Sequence, residues 1–284
     1  MKQWKDSRRE VKGVMRKRLV WIALACVLFL GSGALVFYYL WGNGYLKPTK
    51  TAAPTPTYSD FTYPSIDESI MQSIVVTDPS ADPSVIETSE DLYVCPVNFE
   101  ELQAVNPDII GWIYMSSPEI SLPILRSPDD DTQYLYHDAV GEYSKNGSLF
   151  VEHAYNSDDF SDLCTVIYGH RMSDGTMFGT MQATVSENGY FDEDRFIVIF
   201  TPKETKIYQI FATIPSDSKH ILYYNDFNNA DVYADFVDSV FSKTGVDVRL
   251  VEKAKPTYGD RIIVLSSCLW GDRSSRFLVL AKEI

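Results

Sequence analysis

From residue 109 to the end, the chain is cut into eight short runs rich in β-branched and aromatic residues: 109–115, 120–126, 148–152, 165–168, 196–200, 206–214, 261–266 and 277–284. Gly, Pro, Asn and Asp separate them. Runs this short, with so little helical periodicity between them, satisfy their backbones only by pairing with one another, which predicts a mostly β barrel or sandwich. Two helices interrupt the series. Phe99, Leu102 and Val105 share one face, with Asn98 as cap and Pro107 as stop. In 230–243, Val232, Phe236 and Val240 form one stripe and Tyr233, Val237 and Phe241 the next, capped by Asn228 or Asn229 and ended by Gly245.

The first 18 residues carry eight basic side chains against Asp6 and Glu10, although the 284-residue chain has a formal charge of −14. A basic head therefore precedes an acidic body, and such a body gives no basic face for a phosphate backbone, which argues against nucleic-acid binding. Residues 19–41 then run for 23 positions without a charge. As a helix they span about 34 Å, enough to cross a bilayer. A cleaved signal peptide has a shorter apolar core of about 7–15 residues, whereas this run ends in Phe37, Tyr38, Tyr39 and Trp41, an interfacial aromatic belt. With the basic head held inside, the rest of the chain lies outside the cell. The Thr/Pro/Ser/Ala-rich stretch after Lys47 reads as an extended stalk. The expected organisation is a cytoplasmic head at 1–18, a transmembrane helix at 19–41, a stalk and N-terminal extension at 42–97 and a folded body at 98–284.

Chemistry must come from few residues. The chain has no HExxH, GxSxG or GxxxxGK[ST], so zincin, α/β-hydrolase and P-loop readings lack their starting residues. The four cysteines include no CxxC pair, which argues against a zinc ribbon. Cys26 falls in the apolar run; Cys95 and Cys164 read as neutral thiols, with a disulfide between them left open. Cys268 stands apart, because it closes the apolar run that starts at Arg261 and would project from a rigid strand end. Arg276 opens the next run, so a hairpin would set guanidinium beside thiol. Such a neighbour favours thiolate and can hold a developing oxyanion. Arg273, outside that run, is the weaker basic candidate. His170 also ends an apolar run, and a Cys/His/Arg set on adjoining strand ends suits acyl transfer through a thioester. His137 and His153 read as structural. The acidic clusters 129–131 and 158–162 have the chemistry for calcium but read as solvated loop tips.

At these residues the chain resembles the sortases, and within them class B. Tyr168-Gly-His170 and the polar loop to Gly179 are similar to the family's histidine motif; Val264-Leu-Ser-Ser-Cys268 resembles its cysteine strand, usually TLSTC, with Val264 and Ser267 in the threonine positions. The run from Ser275-Arg276 to Lys282 resembles its arginine strand. Further likeness lies at 106–113, 134–138, 147–150 and the helix at 230–243, so it covers about 99–284.

The resemblance implies an eight-stranded sortase-type β-barrel with a few peripheral helices, acting as a cysteine protease and transpeptidase. It implies His170, Cys268 and Arg276 as catalytic residues, Ser266, Ser267 and Trp270 around the substrate, and no metal or organic cofactor. Asp272 lies in a loop where some class B members carry an acidic residue with a catalytic role, at a different offset. The implied partners are secreted proteins bearing a C-terminal sorting signal and an amine acceptor, either a cell-wall precursor or a pilin lysine, at the surface of a Gram-positive bacterium. The alternatives to wall anchoring are pilus polymerisation and a non-catalytic binding module on the same fold.

Overall fold

The computed structural model describes residues 95–116, 118–182, 195–269 and 271–284. The basic head, the apolar run at 19–41, the stalk as far as residue 94 and Trp270 lie outside the described residues. Among the described residues, no helix is long and apolar enough to cross a membrane.

Among the described residues, nine strands form one sheet: β1 (Ile109–Ser116), β2 (Glu119–Leu125), β3 (Leu149–Phe150), β4 (Cys164–Tyr168), β5 (Phe196–Phe200), β6 (Thr205–Ser216), β7 (Arg249–Leu250), β8 (Ile262–Leu269) and β9 (Asp272–Glu283). Their order is β5-β1-β2-β3-β4-β8-β9-β6-β7, and β6 pairs back onto β5. Eight strands therefore close into a barrel, and β7 takes the remaining part of the β6 edge. Closure removes the open strand edges that invite aggregation. Pairing is antiparallel except at β2–β3 and β4–β8.

Each expected run is a strand, with shifted ends. β8 extends to Leu269, so Cys268 lies inside it, and β9 starts at Asp272, five residues earlier than the apolar pattern suggests. Arg273 thus falls within a strand, contrary to its expected place outside one. The strand around 148–152 pairs only at Leu149 and Phe150.

Strict alternation sorts the side chains. Ile263, Leu265, Phe277, Val279 and Ala281 fill the barrel interior with Ile113, Ile167 and Ile199. Ile262, Val264, Leu278 and Leu280 point outward and are covered by Tyr233, Val237 and Val240 of a helix, α3 (Ala230–Phe241). Each fully buried side chain of this size contributes about 1.5–3 kcal/mol relative to exposure. Asn229 caps α3, its side chain accepting from the Asp231 and Val232 amides. A first helix, α1 (Phe99–Val105), covers another outer face with Phe99 and Leu102 packed near Trp112 and Phe200, and Asn98 caps it through the Glu101 amide. A short helix unforeseen from the sequence, α2 (Ile221–Tyr224), packs on β4.

Candidate active site

Three strand ends meet at one rim of the barrel. β4 and β8 run parallel with Tyr168 opposite Ser266, and the Gly169 amide extends the ladder by donating to the Ser266 carbonyl at 3.1 Å. His170 therefore leaves β4 at the level where β8 carries Cys268. On the other side of β8, Cys268 is the direct cross-strand partner of Arg276. Directly opposed side chains share a face, and the pairing of Val264 with Leu280 makes it the outward face that also holds Val166. All three candidates are half-buried. The β6 strand ends at the same rim, with Ser216 opposite Arg276.

His170 is held from three directions. Its carbonyl accepts from the Phe178 amide at 3.0 Å, its ring lies 6.2 Å from that of Tyr136, and its Nε2 is 2.9 Å from the Leu135 carbonyl oxygen. A carbonyl only accepts, so Nε2 carries a proton and Nδ1 is the nitrogen free to exchange one. The preceding Gly169 is there for space. A Cβ at this position would meet Leu149 Cδ2 and lie 2.6 Å from Phe178 Cδ2. Gly169→Ala is therefore expected to cost about 1–3 kcal/mol by overpacking and to displace His170; thermal unfolding checks the first and the acylation rate of Cys268 the second. An unchanged midpoint would show that Leu149 and Phe178 yield freely.

No family model matches the chain. Sortase B of Staphylococcus aureus is 29% identical over 189 residues, spanning 66% of this chain and 74% of that relative. A crystal structure of sortase B from Bacillus anthracis in complex with AAEK2 is 30% identical, with a TM-score of 0.56 over 66% of this chain and 82% of that one. The Staphylococcus aureus sortase B–substrate complex matches with a TM-score of 0.57 at 27% identity, over 66% of this chain and 84% of that one. The chain belongs to the class B sortases. Accordingly it is a cysteine transpeptidase.

In this sortase the remaining expected site residues are distributed as follows. Ser266 and Ser267 are both buried. Alternation sets Ser266 on the Cys268 face and Ser267 on the interior face, opposite Phe277. Trp270 lies outside the described residues. Cys95, Cys164 and Cys268 are free thiols, and complete burial pushes the Cys164 thiol well up. Four of the six carboxylates in the acidic loops accept from backbone amides: Asp130 from Thr132, Asp131 from His153, Asp159 from Ser161 and Asp162 from Ser157. His137 Nδ1 lies 2.8 Å from the Gln133 carbonyl.

Sequence reasoning missed a cluster beside the site. His220 holds Glu152 Oε2 through Nε2 at 2.7 Å, and its Nδ1 accepts the Tyr223 amide at 3.0 Å, capping α2. Burial raises the Glu152 carboxyl against the opposing pull of His220, and burial also raises the neighbouring Tyr168 phenol. Glu152 closing the apolar run Leu149-Phe-Val was the available signal. The Leu135 carbonyl, a backbone atom, left none.

Asp272 is exposed, and hydrogen bonds from Ser274 and Ser275 hold its carboxyl below the usual range. A depressed folded-state value contributes stability above the ordinary carboxylate range and loses it as pH falls through the lowered value. Exchange protection of the Ser274 amide is thus expected to persist at mildly acidic pH and to disappear only in stronger acid. Loss already near the ordinary Asp value, about 3.9, would contradict those bonds.

Proposed function

We propose that this sortase is anchored in the cell membrane by residues 19–41, with its barrel outside, and that it joins secreted proteins to the cell wall. Cys268, His170 and Arg276 act as nucleophile, acid–base and oxyanion partner. The observation that supports this most directly is the cross-strand pairing of Cys268 with Arg276, with His170 at the end of the strand on the other side of Cys268. The uncharged run and its basic flank support the anchor.

Cys268 Sγ, as thiolate, attacks the carbonyl carbon of the threonine in a sorting signal. The C–S bond forms while Arg276, a planar fork of donors, stabilises the oxyanion. The C–N bond then breaks, and His170 protonates the departing amine from Nδ1, leaving a thioester. An acceptor amine gives its proton back to Nδ1, attacks the thioester and frees Cys268 as it forms a new amide.

The test is the intact mass of the full chain in detergent after mixing with LPxTG-like, NPxTN-like and SPxTG-like peptides. An adduct matching a peptide cut after threonine, removed by hydroxylamine, is expected. No adduct with any of the three sinks the reading as stated. Resolution of the thioester by a wall-type peptide amine rather than a pilin lysine is the expected second step.

A further inference from the structure

The turn between β8 and β9 contains an irregularity that decides which arginine faces the thiol. Leu269 pairs with Asp272, and Gly271 just before that pair has a φ of +81°, which glycine adopts at little cost. Continued regularly, that hairpin would set Cys268 opposite Arg273. Instead Cys268 pairs with Arg276, Ser267 with Phe277 and Ser266 with Leu278. Residues 273–275 thus form a bulge with no counterpart on β8.

The bulge is tied from within by one side chain. Asp272 Oδ1 accepts from the Ser274 amide at 2.9 Å and from Ser274 Oγ at 2.6 Å, and its Oδ2 accepts from Ser275 Oγ at 2.6 Å. Hydrogen bonds to an ionised acceptor are among the stronger ones available to an exposed loop. On the far side of β9, Ser216 of β6 pairs with Arg276, so the strand is registered there as well. The hairpin must therefore absorb three extra residues just where Asp272 and the two serines stand.

We infer that Asp272 is a positioning residue: by clamping residues 273–275 it sets the register that puts Arg276, and not Arg273, beside Cys268. It acts through the strand and touches neither thiol nor substrate. The inference deepens the proposed reaction and rests on Arg276 being the group that serves Cys268 there. The role differs from acid–base chemistry, because both carboxylate oxygens are engaged by the turn.

Cross-strand trapping in the full chain tests the register without any substrate. Arg276→Cys and Arg273→Cys are each made with and without Asp272→Ala, and disulfides to Cys268 after mild oxidation are mapped by peptide mass. With Asp272 present, at least about tenfold more bridge is expected to position 276 than to 273, because only directly opposed residues have the Cα separation a disulfide needs. Asp272→Ala should erase or reverse that ratio, and Asp272→Asn, which keeps the Oδ1 acceptor, should largely restore it. A ratio unmoved by Asp272→Ala overturns the inference.

Peptide acylation supplies the second arm. With Asp272 present, Arg276→Ala should lose acyl-enzyme formation and Arg273→Ala should keep it. With Asp272→Ala, the dependence should shift toward Arg273, which a general loss of stability would not cause. If trapping behaves as expected while Arg276→Ala acylates normally, the reaction reading fails and the register stands. If acylation requires Arg276 but trapping ignores Asp272, the register claim fails instead.

Discussion

Cys268→Ala is expected to reduce acyl transfer by about 10,000-fold or more, since the remaining groups offer no covalent path. The fold should survive. Cys268 is half-buried at a barrel rim, so losing its sulfur leaves no deep cavity, and the stability change should stay under about 1 kcal/mol. Single-turnover acylation measures the first quantity and thermal unfolding the second. Residual turnover within tenfold of the parent would assign the reaction to another nucleophile. Cys164 would be a poor replacement, because it is enclosed in the outer cluster with its thiol held neutral.

Arg276→Lys is the next largest effect. Lysine keeps the charge opposite Cys268 but loses the planar fork, and removal of one well-placed oxyanion donor typically costs on the order of 100- to 1,000-fold in rate. The loss should appear in kcat for acylation, with KM for the peptide changing little, because the oxyanion exists only as the carbonyl is attacked. An effect confined to KM would make Arg276 a substrate-binding group and remove it from the chemical step. Arg276→Ala beside it should be at least as slow as the lysine variant.

The strands of this fold were legible because each is a β-branched and aromatic run bounded by Gly, Pro, Asn and Asp; the closure of the barrel was not. Pairing of β1 with β5, of β6 with β9 and the parallel contact of β4 with β8 depend on long-range register, on which local periodicity is silent. β7 and α2, two and four residues long, are too short to carry any period. β9 starts at Asp272 because a turn organises Asp-Arg-Ser-Ser, a polar stretch in which no alternation marks a strand. At the site, Cys268, His170 and Arg276 each sit beside an apolar run and stood out for that reason. What positions them was hidden. The Leu135 carbonyl that orients His170 has no side-chain signature, and the three-residue bulge beneath Arg276 follows from hydrogen bonds to Asp272.

Whereas β8 and β9 are neighbours in sequence as well as in the sheet, the parallel pairing of β4 with β8 joins segments about 100 residues apart in sequence. Contacts of such separation form late, after the cost of closing long loops has been met. The thiol meets its guanidinium within a local hairpin, but its imidazole only when β4 has met β8 across that separation. A chain in which β4 and β8 have not yet paired would hold a cysteine beside its arginine but no imidazole, so the topology itself keeps the acid–base step off until that distant contact forms.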